Sequence, residues 1–170
     1  MALTQVIGRG LGTQTTLAGS NTLVLDTDGI MTRPLQPAFS ARNNGTQSNI
    51  ATGTDVTVAL GTERFDNNGD FASNTFTSPV TGKYQLNVIM RLDTIDSAAY
   101  SYELKIATSN QNYAVPFDPD FGQDNNLYDM TIAVLADMDA GDTSTVEINQ
   151  STGTAQTDIV SVTFSGFLVC

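Results

Sequence analysis

The chain has 170 residues, no histidine, one cysteine and a formal net charge of −11. This length fits one domain plus a short appendage, and a domain of that size buries roughly 70% of its unfolded surface without needing staples. A single cysteine excludes an intrachain disulfide, and the missing histidine removes the commonest general base and metal ligand, so no Ser–His or Cys–His pair and no ordinary zinc site can form.

No apolar run approaches the ~18 residues needed to span a bilayer. The opening MALTQVIGRG lacks the charged and apolar regions of a secretory leader, so none is expected. Cys170 reads as a small apolar residue closing the last strand. The charge is unevenly placed. Residues 1–40 hold Arg9 and Arg33 against Asp26 and Asp28, whereas residues 41–170 carry the whole excess of negative charge. An acidic body repels phosphate backbones and anionic lipids, so neither nucleic acid nor membrane is an expected partner.

Residues 1–36 show no sustained helical period. Leu23, Val24 and Leu25 give one short strand ended by an Asp-Gly turn, and Gly8, Gly10, Gly12 and Gly19 punctuate the rest. Such a segment cannot build its own core. It is read as an arm that orders by docking on a partner through Leu23, Val24 and Leu25, with packing back on its own body as the alternative.

Pro34 and Pro37 bracket a stiff connector into a body spanning 37–170. Ala38–Arg42 is its first strand, residues 43–54 are loop, and Asp55–Leu60 alternates as the next strand. Phe65 to Phe71 is a polar turn between aromatic anchors, with Asn68-Gly69 as a tight-turn dipeptide. After the Pro79–Gly82 turn comes a long strand with Tyr84, Leu86, Val88, Met90 and Leu92 on one face; only Ile89 breaks the alternation. Ala98–Ile106 alternates again, placing Tyr100 and Tyr102 on one face. A short strand at Tyr113–Val115 precedes the acidic loop Phe117–Asn126. Leu127–Met138 is a strand apolar on both faces, Thr145–Asn149 another, and Asp158–Val169 closes the chain. Eight or nine short strands and no helical period predict an all-β, antiparallel two-sheet sandwich.

Asn74, Phe76, Pro79, Gly82 and Tyr84 form N-x-F-x-x-P-x-x-G-x-Y. This resembles the signature of the complement-type globular head, one of the tumour-necrosis-factor-like jelly rolls. Ala140-Gly141-Asp142 resembles that family's turn before the penultimate strand, and Phe164–Leu168 its last strand. The resemblance implies jelly-roll connectivity over residues 37–170, with the arm extended in front. It also implies a compact homotrimer.

Three acidic clusters invite a metal reading: Asp118, Asp120 and Asp124; Asp66 and Asp70; and Asp137, Asp139 and Asp142. None keeps the spacing of a calcium loop, and each also reads as a solvated turn. Because some heads of the family hold calcium near the trimer axis, Asp118, Asp120 and Asp124 remain calcium candidates; no other cofactor is expected. No residue is expected to be catalytic, and no Gly-rich phosphate loop opens a helix. The tyrosines could form a sugar-stacking platform, but a core or subunit interface is the simpler reading. Trimer contacts are expected at Tyr100, Tyr102, Leu127 and Leu135.

The arm's NTLVLDTDGIMTRPLQPAF resembles the stretch preceding such heads in phage virion proteins. The expectation is a non-enzymatic virion protein: a trimeric capsid decoration, or cement, protein gripping the major capsid protein through its arms. The alternative is the receptor-binding head of a phage tail fibre, with the loops around Asp66–Asp70 and Phe117–Asn126 meeting the host. A secreted cytokine-like or lectin-like module fits less well.

Overall fold

In the computed structural model the chain divides into two units, Met1–Gln36 and Pro37–Cys170. The structure describes residues 14–17, 23–26 and 28–170, with side-chain surroundings for Val24 and from Asp28 onward. No helix occurs among them.

The first unit holds three strands, β1 (Gln14–Leu17), β2 (Leu23–Asp26) and β3 (Met31–Thr32), paired antiparallel in that order. The sequence indicated only β2. β1 matches β2 in length but its Gln-Thr-Thr-Leu has one strongly apolar residue against three in β2, and β3 has only two residues. The glycines at 8, 10, 12 and 19 lie outside the described residues.

The second unit contains β4 (Ala38–Arg42), β5 (Asp55–Thr57), β6 (Thr62–Asp66), β7 (Phe71–Ala72), β8 (Thr75–Thr77), β9 (Gly82–Ile95), β10 (Tyr102–Thr108), β11 (Asn112–Phe117), β12 (Asn125–Met138), β13 (Thr143–Gln150) and β14 (Asp158–Leu168). One sheet runs β12-β9-β14-β4-β6. The other runs β11-β10-β13-β8-β7, with β5 also paired to β13. All these pairings are antiparallel. The predicted two-sheet jelly-roll sandwich is therefore the observed architecture.

The long alternating strand works as its pattern requires. Tyr84, Leu86, Val88, Met90 and Leu92 all point into the space between the sheets and are buried. From the facing sheet come Leu104, Ile106, Val146 and Ile148. An aromatic cluster closes one end: Phe39 stacks on Phe76 at 4.5 Å between ring centroids and on Phe71 at 5.2 Å, with Phe164 edge-on at 4.9 Å.

The signature residues have local physical jobs. Phe76 is buried and Tyr84 donates its hydroxyl proton to the carbonyl of Val80. Asn74 adopts φ 67° and accepts the Leu60 N–H at 2.7 Å. A Cβ on Gly82 would meet the Cys170 carbonyl oxygen and lie 2.6 Å from Leu168 Cδ1. On Gly166 it would lie 2.6 Å from Leu86 Cδ2 and 2.8 Å from Phe39 Cε1. Both glycines are spaces that a neighbouring chain segment already fills.

Two predicted strands are shorter than expected: Asp55–Leu60 is strand only over Asp55–Thr57, and the strand expected from Ala98 starts late. Residues 98–101 are turn, and β10 begins at Tyr102. Asp96 captures the Ala98 N–H with its side chain and the Ala99 N–H with its carbonyl, which folds the chain before pairing starts. Tyr100 therefore does not share the buried face of Tyr102.

Candidate assembly interface

The two outer faces of the sandwich differ in chemistry. On the six-stranded sheet, Lys105 on β10 sits 2.7 Å from Asp55 on β5 and 3.0 Å from Glu103. Asn149 on β13 donates a further hydrogen bond to Asp55. Burial works against the Lys105 charge, but hydrogen bonds to Asp55 and Glu103 outweigh it and raise its pKa above the ordinary lysine value. Asp55 is lowered, first by its hydrogen bond from Lys105 and then by that from Asn149. This face is polar and internally satisfied.

The outer face of the five-stranded sheet is built from the alternate residues of β9, β12 and β14. Ile89, 62% exposed, pairs with Thr131 and Thr163 on its two neighbours. Asn87 lies between Ala133 and Ser165, and Gln85 between Leu135 and Phe167. Leu135 and Leu127 remain 56% and 53% exposed. Beside these apolar and small residues, Arg91 forms a two-pronged ion pair with Asp129 at 2.7 and 2.8 Å. The hydrogen bond from Arg91 holds the Asp129 carboxyl below the ordinary aspartate value. This sheet face carries half-exposed Ile, Leu and Phe among Thr, Ser and Ala, between the Arg91–Asp129 pair and a second ion pair, Lys83–Asp137 at 2.6 Å.

Of the expected trimer contacts, Leu127 and Leu135 stand on this face. Tyr102 does not: it is buried in the sandwich, with its hydroxyl 2.7 Å from Thr157 Oγ1, and no neighbouring subunit can touch it. Its polar tip is satisfied internally, which the alternation of the strand could not reveal. Tyr100 is exposed on the loop joining β9 and β10, away from the strand faces. Ile89, which the sequence marked as an extra apolar position, and Phe167, which it did not single out, are also exposed on this face. The break in alternation at Ile89 was the available signal for the first. For the arm, Val24 is buried within the chain, while the side chains of Leu23 and Leu25 lie outside the described residues.

At the end of the sandwich carrying Tyr100, buried polar groups fix the loops. The Asp96 carboxylate, 2% exposed, accepts N–H bonds from Ala98, Thr154 and Ala155. Those bonds, with Ala155 contributing most, hold its pKa below the ordinary aspartate value despite desolvation. Gln150 accepts the Thr157 N–H and donates to the carbonyls of Thr152 and Ala155.

The metal candidates are not brought together. Asp118 accepts the N–H of Asp120, whereas Asp124 is turned to the N–H and hydroxyl of Ser97. Among the described residues no group of three or more acidic or cysteine side chains could hold a metal ion. Asp66 spends its oxygens on the N–H groups of Asn68, Gly69 and Phe71, which shapes the turn into β7. Asp142 does the same for the N–H of Asp139 and also accepts from Asn110.

No protein-family model and no curated protein sequence matches the chain. Its similarity lies in solved structures. The globular domain of the zebrafish complement 1qA protein superposes with a TM-score of 0.57 at 22% identity, over 79% of this chain and 98% of that one. Murine APRIL at pH 8.0 gives 0.57 at 10% identity, over 79% and 99%. A second structure of murine APRIL, at pH 8.5, gives 0.50 at 10%, over 76% and 98%. The fold is thus the jelly roll shared by complement-type heads and tumour-necrosis-factor-like domains. At these identities the likeness extends to the fold alone.

Proposed function

We propose that the protein is a non-enzymatic structural protein of a phage virion: a homotrimer whose first unit attaches it to a capsid lattice as a decoration protein. The observation that carries the assembly step is the uncovered outer face of the five-stranded sheet. Covering each half-exposed Ile or Leu contributes about 1 kcal/mol, and several such residues on a flat face suit a closed cyclic oligomer. The sheet opposite, with its satisfied ion pairs, is the face left to water.

Two further features support the attachment step. The segment through residue 40 is charge-neutral while the body carries the whole −11. The first unit is a three-strand sheet with very short outer strands, too small to have a core of its own. Such a unit gains order by burying surface on a partner. An acidic head facing outward keeps decorated particles apart.

The test has two arms. Light scattering after size exclusion should return three times the 18.1 kDa chain mass. Removing residues 1–33 should leave that trimer intact but abolish decoration of capsids. A stable monomer would remove the assembly reading. Full occupancy by the truncated protein would remove the attachment reading. Binding of the isolated trimer to host cells, with no affinity for capsids, would favour a tail-fibre head instead.

A further inference from the structure

Tyr100 has no role in the fold or in the proposed assembly face, yet its ring is the most exposed large apolar group among the described residues, at 78%. It borders an open cleft of about 370 Å³, lined also by Ser101, Pro116, Phe117 and Asp118. The backbone carrying the tyrosine is fixed rather than loose. Thr152 Oγ1 accepts the Tyr100 N–H at 2.7 Å, and Ser151 Oγ accepts the Ser101 N–H at 3.0 Å. The opposite wall is fixed too. Phe117 stacks between Tyr102 at 5.1 Å and Tyr128 at 4.1 Å, both nearly parallel to it. The buried Asp96 carboxylate anchors the 151–157 loop behind Tyr100.

The polar character of the cleft is one-sided. Pro116 has no N–H. The N–H groups of Tyr100 and Ser101 are spent on the neighbouring loop, and the Ser101 hydroxyl donates to Ser151 at 3.2 Å. No lysine or arginine lines the cleft, and Lys105 on the adjacent strand is held by Asp55 and Glu103. What remains are aromatic surface, a proline ring and the Asp118 carboxylate, which gives only one oxygen to Asp120. A neutral sugar would find only the Tyr100 hydroxyl and the Asp118 carboxylate as side-chain partners for its several hydroxyls, and an anion needs positive charge. A flat cation needs only the face of a tyrosine and a carboxylate partner.

The geometry points to a binding site for an organic cation, with a guanidinium or ammonium group seated between the Tyr100 ring and the Asp118 carboxylate. The natural occupant is an arginine or lysine side chain presented by a protein partner. A body carrying the entire −11 attracts such a group from a distance. The site lies outside the outer face proposed for assembly, so it stays open in a trimer built on that face.

The probe is agmatine, a guanidinium on a short aliphatic chain, titrated into the full-length protein and followed by amide chemical shifts. Saturable shifts at Tyr100, Ser101 and Asp118 are expected, with a roughly millimolar dissociation constant that weakens as salt is added. Tyr100→Ala and Asp118→Asn should each weaken binding by roughly fivefold or more. Glu63→Gln, which removes one exposed charge elsewhere, should leave it unchanged. Equal weakening by all three variants would reduce the effect to diffuse attraction and overturn the site. Shifts from methyl β-galactoside but not from agmatine would replace it with a sugar site. Silence from both ligands would remove it. Thermal unfolding of each variant separates loss of binding from loss of fold.

Discussion

The two outer faces of this sandwich come from strands with the same alternation, longer on the five-stranded sheet, but they differ in what their outward residues do. On the six-stranded sheet the outward positions of β10, β13 and β5 hold Lys105, Glu103, Asn149 and Asp55, which satisfy one another. On the five-stranded sheet the outward positions of β9, β12 and β14 hold the exposed Ile89, Leu127, Leu135 and Phe167, beside the ion pairs Arg91–Asp129 and Lys83–Asp137. The difference separates a face of mutually satisfied polar groups from the face proposed for assembly, which keeps several apolar side chains exposed. Fold stability does not require the second pattern, since the inner residues of the same strands already form the core.

The sharpest way to break the contrast is to charge the apolar face. Ile89→Asp combined with Leu135→Asp should convert the trimer to monomer at micromolar concentration, by light scattering. Circular dichroism should still report the β fold, because both side chains are exposed in the single chain. A trimer that survives the double change would show that the face is not the interface.

Next in size is the buried carboxylate at the loop end. Asp96→Ala leaves the N–H groups of Ala98, Thr154 and Ala155 without their acceptor and should cost on the order of 2–3 kcal/mol in denaturant unfolding. Its pH dependence has a defined sign. The folded carboxyl is depressed below the ordinary value of 3.8, so its stabilisation is complete above that value and is lost as pH falls through the folded one. The wild type should lose stability below about pH 4, and Asp96→Ala should lose less over the same window.

The smallest effect belongs to the polar face. Lys105→Gln removes a network of a mostly buried lysine and partly exposed carboxylates and should lower stability by about 1 kcal/mol, less at high salt, while leaving assembly untouched. Dissociation of the trimer by this change would reverse the assignment of the two faces.

Part of this was legible in the residues. The period-two run from Tyr84 to Leu92 named the core side of β9, and the exception at Ile89 marked an apolar residue left exposed on the opposite side. The spacing of Asn74, Phe76, Pro79, Gly82 and Tyr84 pointed to the jelly roll through its resemblance to the complement-type signature, and Asn74, Phe76, Gly82 and Tyr84 each meet a local steric or hydrogen-bonding demand there. Tyr100 and Tyr102 were not separable by pattern. Their different fates depend on Asp96, which bends the chain at Ala98 and Ala99, before the strand begins at Tyr102. Asp118, Asp120 and Asp124 looked like a cluster, but neighbouring carboxylates in a loop are free to choose different backbone N–H groups, and these do.

What the sequence determined by itself is everything set by short-range alternation and turn chemistry: strands without helices, one dry face per strand, a neutral leading segment and an acidic body. Only the tertiary structure decided which outward residues share a face, which tyrosine is buried, and which donors around Tyr100 are already spent. Those outcomes depend on strand register and loop closure between residues up to about 120 positions apart. Pairings at that range are selected by packing of the whole sandwich, and no local stretch of sequence contains them.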